Sequence, residues 1–148
     1  EAALRQIGTE KAVGSLKDAP FMLMVKTMNE SVAKRLLTVV NIGKQKKEIG
    51  VPLLHKACHD EYKNIRIEAI KSIGFIRHSS SLNVLIEMLN DSYYDVRIEA
   101  IKTLVRYNSV TALNAIKQAM SDPNTNVKNE AKRGYAKLKT RLEEKNII

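Results

Sequence analysis

His55, Cys58, His59 and Asp60 form a short stretch whose residue types and spacing suggest metal chemistry. On a helix, positions i and i+4 share a face, so His55 and His59 can offer two imidazoles to one zinc ion. A structural site needs four ligands and a catalytic one three, yet no second cysteine or further helical ligand stands nearby. Cys58 also lies 31 residues before Leu89 and 62 before Met120, both members of an apolar stripe. There an unpaired thiol behaves as a small hydrophobe. The expectation is a core cysteine and no metal. Nucleophilic chemistry has less support still. Ser79, Ser80 and Ser81 beside His78 read as a turn and a helix cap, with nothing to activate a hydroxyl. The six glycines are scattered and make no phosphate-binding loop. The most orderly polar residues are the recurring pairs Asp60 with Arg66, Asp91 with Arg97 and Asp122 with Lys128. A catalytic row of acids would have to converge on one pocket, whereas residues at a fixed repeat spacing spread along an axis. No catalytic residue and no cofactor is assigned.

The elements that position these residues come from an internal repeat. The segment from Asp60 to Ile73 aligns without a gap on the segment from Asp91 to Leu104, an offset of 31 residues, and again on the segment beginning at Asp122. Looser copies lie at Glu1 to Gly8 and Val32 to Leu37. A fixed period in this range signals stacked supersecondary units. Ile65, Ala69, Ile70 and Ile73 recur as Val96, Ala100, Ile101 and Leu104, the apolar spacing of a first helix, A. Leu82, Leu85, Ile86 and Leu89, recurring as Leu113, Ile116 and Met120, mark a second, B. Phe21 to Met28 and Leu53 to Cys58 fill the B role earlier. Gly8, Gly43 and Gly74 are expected to end the A helices in left-handed caps. Asp18 and Asp122 are expected to cap helices whose first turns hold Pro20 and Pro123, and Pro52 to open a B helix. No segment alternates with period two. The fold class predicted is all-α, an α-solenoid of stacked antiparallel helix pairs with a period of about 31 residues.

At this point the residues resemble a known family. The phrase Asp-x-x-x-x-Val/Ile-Arg-x-Glu-Ala, with Ile-Gly following at Ile73-Gly74, is similar to HEAT repeats, in particular to the short HEAT-like repeats first noted in phycobilin lyases. The likeness is close over 60–138 and looser over 1–59. It implies that the Asp/Arg pairs form a ladder tying each turn to the neighbouring helix. It implies little about activity, because a fold does not carry one. We expect a single domain over 1–148, in units of about 1–28, 29–59, 60–90, 91–121 and 122–148. In the last unit Asn129 and Lys132 replace Ile98 and Ile101, as a closing cap requires. The first unit shows no such device, so the chain reads as part of a longer protein.

Composition bounds the function. The 148 residues are 44% hydrophobic and 28% charged, a globular balance. The most apolar run, Phe21 to Val25, is far shorter than a bilayer span, so no membrane insertion is expected. One cysteine excludes an internal disulfide and fits a reducing, cytoplasm-like compartment. Aromatics total 5%, thin for base stacking, although Tyr62, Tyr93 and Tyr94 in the B-to-A turns are candidates for contact with a partner.

The net charge of +9 points to an acidic partner. It is unevenly placed. A-to-B turns are basic, with Lys11, then Lys44, Lys46 and Lys47, then Arg77 with His78, then Arg106. B-to-A turns are acidic, with Glu30, Asp60 and Glu61, Asp91 and Asp95, and Asp122. Two candidate surfaces follow: a basic edge of Lys44, Lys46, Lys47, Arg77 and Arg106, and a helix-B face of Asn83, Glu87, Asn114 and Lys117. The expected function is a non-catalytic scaffold binding a protein partner. The alternative is a nucleic-acid-binding module, which the mixed helix-B face supports less well.

Overall fold

The computed structural model describes residues 29–148. The expectations for the unit at 1–28, including Gly8, Lys11, Asp18, Pro20 and the Phe21 to Met28 stripe, lie outside the described residues. Seven α-helices follow one another: α1 (Glu30–Lys44), α2 (Val51–Ala57), α3 (Lys63–Ile76), α4 (Leu82–Met88), α5 (Tyr94–Leu104), α6 (Val110–Ala119) and α7 (Thr125–Glu144). No strand occurs among the described residues. The odd-numbered helices are the A helices and stack in chain order, α1 on α3, α3 on α5, α5 on α7. Each even-numbered B helix packs on the A helix that follows it. The architecture is an all-α solenoid.

The helical stripes decide what is buried. Ile65, Ala69 and Ile70 of α3 and Val96, Ala100, Ile101 and Leu104 of α5 are fully enclosed, and Ile73 nearly so. Each Ile or Leu so enclosed contributes about 1.5–3 kcal/mol of hydrophobic stabilisation. Leu85, Leu113, Ile116 and Cys58 join them from the B side, with Leu82, Ile86, Leu89 and Met120 half-buried at the border. One continuous core runs from Val32 to Leu142. In α7, Asn129 and Lys132 are exposed, which leaves its outer face polar.

The glycines do a different job from the one expected. Gly43 and Gly74 lie inside α1 and α3, buried where A helices touch. A β-carbon on Gly43 would fall 2.7 Å from the Cα of Ser72, so the missing side chain lets α1 and α3 approach. Ser72 Oγ then donates to the carbonyl of Val39 at 2.9 Å across the same contact. At the α5–α7 contact the glycine changes sides: Gly134 faces Val105. The left-handed residues that end the first two A helices are instead Lys46 (φ 49°) and Arg77 (φ 55°). The cap at Asp122 is also corrected. Asn124 caps α7, accepting from the amides of Asn126 and Val127, and Pro123 precedes the helix. Pro52 does stand in the first turn of α2.

Asp122 belongs to a ladder whose register differs from the in-unit pairing. Arg35 Nε donates to Asp60 at 2.9 Å, Arg66 Nε to Asp91 at 2.8 Å and Arg97 Nε to Asp122 at 2.9 Å, each partner 25 residues on. The Arg66 and Arg97 Nη1 atoms donate to the carbonyls of Asp60 and Asp91 at 2.8 Å, so each guanidinium holds its own turn and the next. Each carboxylate is aimed by an Asx turn: Asp60, Asp91 and Asp122 accept from the amides of Tyr62, Tyr93 and Asn124 at 2.9–3.0 Å. Tyr rings cover the ladder from outside. Tyr62 lies under Arg35 at 5.8 Å, and Tyr93 under Lys63 at 4.9 Å and Arg66 at 5.7 Å.

Candidate functional site

Two of the polar clusters singled out above are absorbed by packing. Cys58 is fully buried, and burial, then the charge of Glu87, pushes its thiol pKa up to about 12. It is a core residue. His55 and His59 turn to different neighbours. His55 Nε2 bonds Ser81 Oγ at 2.7 Å, and His59 Nε2 lies 3.6 Å from Glu87. No group of three metal-ligating side chains gathers among the described residues. Ser81 is buried, and His78 accepts from the amide of Ser80 as a turn cap.

The charged turns separate by pairing. On the B-to-A side Asp60, Asp91 and Asp122 are held by ladder arginines, and Asp95 by Lys63 at 2.8 Å. Burial works to raise the Asp95 pKa, but the hydrogen bond and charge of Lys63 outweigh it and hold the carboxyl below the usual range. These four acids are paired in place. On the A-to-B side Lys44, Lys46, Lys47, Arg77 and Arg106 are all exposed, and none pairs with a carboxylate among the described residues.

Three of these cations come together. Lys46, Arg77 and Arg106 line one open cavity of about 360 Å³, with Gly74, Phe75 and Arg141. Lys44 and Lys47 sit on the same turn as Lys46 without lining it. Each A helix supplies one cation from its C-terminal end. Lys46 follows α1, Arg77 caps α3, Arg106 follows α5, and Arg141 stands in the last turn of α7. Cations there also complement the helix dipoles, which accounts for their sign. Their backbone is less ordinary. Lys46 and Arg77 occupy left-handed positions that glycine fills at lower cost, and Arg77 N–H donates to the carbonyl of Ile73 at 2.7 Å.

Local packing fixes the cavity wall. Arg106 stacks over the Phe75 ring at 5.7 Å, and its Nη1 would lie 3.1 Å from a β-carbon on Gly74. The bare backbone of Gly74 therefore leaves room for that guanidinium. Arg141 donates from Nη2 to the carbonyl of Val105, while its Nε is buried without an acceptor among the described residues. An unanswered buried donor on a charged group is costly. Nothing in the sequence singles out Arg141, one of seven Lys and Arg residues in 128–148. An adjoining hollow of about 280 Å³ shares Phe75 and Arg106 but adds Glu99 beside Lys71 and Lys102.

The helix-B face has no such convergence. Asn83, Glu87, Asn114 and Lys117 are exposed, and Glu87 is turned toward His59. A larger hollow of about 530 Å³ opens between α1 and α2, mostly apolar, with Lys34, Lys56 and His59 in its lining. Its Asp60 is already held by Arg35. No helix among the described residues is long and apolar enough to cross a membrane.

The family model of HEAT repeats matches the chain over residues 22–96 and 82–145. No curated protein matches it.

Proposed function

Because the chain belongs to the HEAT-repeat family, we propose that it is a non-catalytic scaffold whose basic edge, centred on Lys46, Arg77 and Arg106, holds an acidic protein partner. HEAT repeats generally serve as protein-interaction scaffolds and are typically non-catalytic. The observation that carries the reading is the convergence of cations from the ends of four successive A helices on one cavity that no carboxylate lines among the described residues. The helix-B face, with one acid, one base and two amides, is the weaker candidate. Within the family we read the repeats as the short kind, similar to those of phycobilin lyases, on the recurring Asp-x-x-x-x-Val/Ile-Arg-x-Glu-Ala phrase; no bilin chemistry is proposed.

Nucleic-acid binding is the second reading, and the exposed cations without a carboxylate partner among the described residues are the observation that favours it. A duplex or strand needs a contiguous basic track. Glu99 interrupts the surface beside Arg106. The test is charge reversal of Lys44, Lys46 and Lys47 to Glu in the whole protein. Surface substitutions of this kind usually change stability by less than about 0.5 kcal/mol. The partner is identified by crosslinking with the unaltered protein, and its affinity and association rate are then compared for both. A fall in both, with modest salt dependence, supports the protein-scaffold reading. An affinity for random duplex DNA that falls on the order of a thousandfold between about 50 and about 200 mM salt would replace it. Unchanged partner binding after the reversal leaves the helix-B face as the docking surface.

A further inference from the structure

The charge and geometry of the cavity narrow what the acidic partner brings. Lys46, Arg77, Arg106 and Arg141 line a single open concavity, so cations of four stacked helix ends share one hollow. A carboxylate side chain supplies one negative charge. A phosphoryl group on Ser, Thr or Tyr supplies about −1.5 to −2 at neutral pH, with three acceptor oxygens. Three of the four cations are arginines, whose planar forks present paired donors that match phosphate oxygens, whereas lysine acts as a point charge.

The surroundings favour a directed site over a loose cluster of cations. Arg106 is oriented by the Phe75 ring on one side and the bare Gly74 backbone on the other. Arg141 Nη2 donates to the Val105 carbonyl, which places this side chain at the cavity wall. Lys46 and Arg77 are held in backbone conformations that cost a non-glycine residue energy. Helix termination by itself would be served better by glycine at both positions. What glycine would remove is the side chain pointing from that edge.

We infer that this cavity is a phosphoryl-binding site, and that its ligand is a phosphorylated segment of the protein partner. The inference rests on the scaffold reading and specifies it further. The cavity of about 360 Å³ has room for the phosphoryl group together with flanking atoms of a peptide, and the exposed Phe75 offers those atoms an apolar surface. Nucleic acid brings phosphates too, but as a row. In the neighbouring hollow Glu99 stands among Lys71, Lys102 and Arg106, so a row of phosphates would meet a carboxylate beside Arg106.

The test uses the 148-residue chain, its Arg77→Gln and Arg106→Gln variants, and four probes. These are random-sequence peptide libraries centred on phosphoserine, phosphothreonine or phosphotyrosine, the same libraries with glutamate at the centre, inorganic phosphate, and random duplex DNA. Circular dichroism and the urea midpoint first confirm that each variant is folded. The expected result is retention of a phosphorylated library, weak retention of the glutamate libraries, and a loss of about tenfold or more in each variant, as removal of a charge-assisted hydrogen bond implies. Inorganic phosphate should compete only at much higher concentration than the retained peptides. If phosphate alone binds as tightly as any peptide, the ligand is the free anion and the peptide assignment fails. If glutamate libraries bind equally well and both variants lose them, the phosphoryl assignment fails while the acidic-partner reading stands. Tighter binding of duplex DNA than of any peptide, lost in the variants, overturns both in favour of nucleic acid. If neither variant changes any binding, the basic edge is not the site and both readings fall.

Discussion

Arg66 joins two repeats through one guanidinium: its Nε donates to Asp91 Oδ2 at 2.8 Å and its Nη1 to the Asp60 carbonyl at 2.8 Å. The side chains of Arg66 and Asp91 are only 11% and 8% exposed, so neither charge is well solvated without the other. Such a pair gives little net stability over an apolar isostere, but losing one partner strands the other. Asp91→Ala should therefore cost about 3–5 kcal/mol in urea unfolding. The double variant Arg66→Met with Asp91→Leu should recover most of that loss. Equal losses in the single and double variants would show that the cost is not that of a stranded charge.

The last rung sets a pH dependence. Burial of the Asp122 carboxyl works to raise its pKa. The Arg97 and Asn124 hydrogen bonds, with the charges of Arg97 and Lys128, outweigh burial and hold it below the usual carboxylate range. The unfolded chain then takes up this proton first, near the ordinary Asp value of about 3.9. The contribution is fully present above that pH and is lost as pH falls through the lower folded value. Stability should drop between neutral pH and about pH 3 more in the unaltered chain than in Asp122→Asn, measured as urea midpoints. Identical pH profiles would remove Asp122 as a source.

Gly43 and Gly74 should respond oppositely to alanine. Helix propensity alone favours either change by about 1 kcal/mol. At Gly43 the new methyl would meet the Ser72 Cβ at 2.6 Å and Cα at 2.7 Å, and a helix axis has to move. Overpacking of that kind costs about 1–3 kcal/mol, so the expected net change is a loss. At Gly74 the nearest atom is Arg106 Nη1, the far end of a long side chain, at 3.1 Å, and stability should be unchanged or improved. Thermal melts of the two variants decide the matter; a stabilised Gly43→Ala would show that α1 and α3 are not held that closely.

Arg77→Gly separates stability from binding. Its φ of 55° suits glycine, so folding should be preserved or strengthened by up to about 1 kcal/mol, while an anion at the edge loses a partner. Urea titration paired with ligand titration gives both numbers. A variant that unfolds more easily would mean that the side chain, rather than the turn, stabilises the end of α3.

Cys58 should resist alkylation in the native chain at about pH 8, because its thiol pKa of about 12 leaves almost no thiolate and its side chain is enclosed. Labelling by iodoacetamide should follow unfolding by urea. Protein purified without chelator should hold no stoichiometric zinc. One equivalent of zinc, lost on changing His55 and His59 to Ala, would contradict the core placement of Cys58.

What the sequence determined by itself is whatever repeats locally. The 31-residue recurrence of Asp, Arg and the Ile/Ala/Leu stripe is enough to specify helices, their buried faces and their stacking, because burial follows the helical period within a single unit. Cys58 as a core residue followed from the same register, and the basic and acidic turns from their places between stripes. Tertiary packing decided the rest. Whether Arg66 takes the carboxylate of Asp60 or of Asp91 depends on the step between stacked helices and on the Asx turn that aims Asp91, and neither is local to Arg66. The glycines at 43 and 74 look like caps in sequence because Gly is permissive; only the closeness of Ser72 and the approach of Arg106 make them contacts. Lys46, Arg77 and Arg106 were legible as cations of successive A-to-B turns, but Arg141, 35 positions beyond Arg106, lies among other bases with nothing to single it out. Stacking brings one helix end from each described A helix to the same wall, and only that folded arrangement adds Arg141 to the cations of the turns.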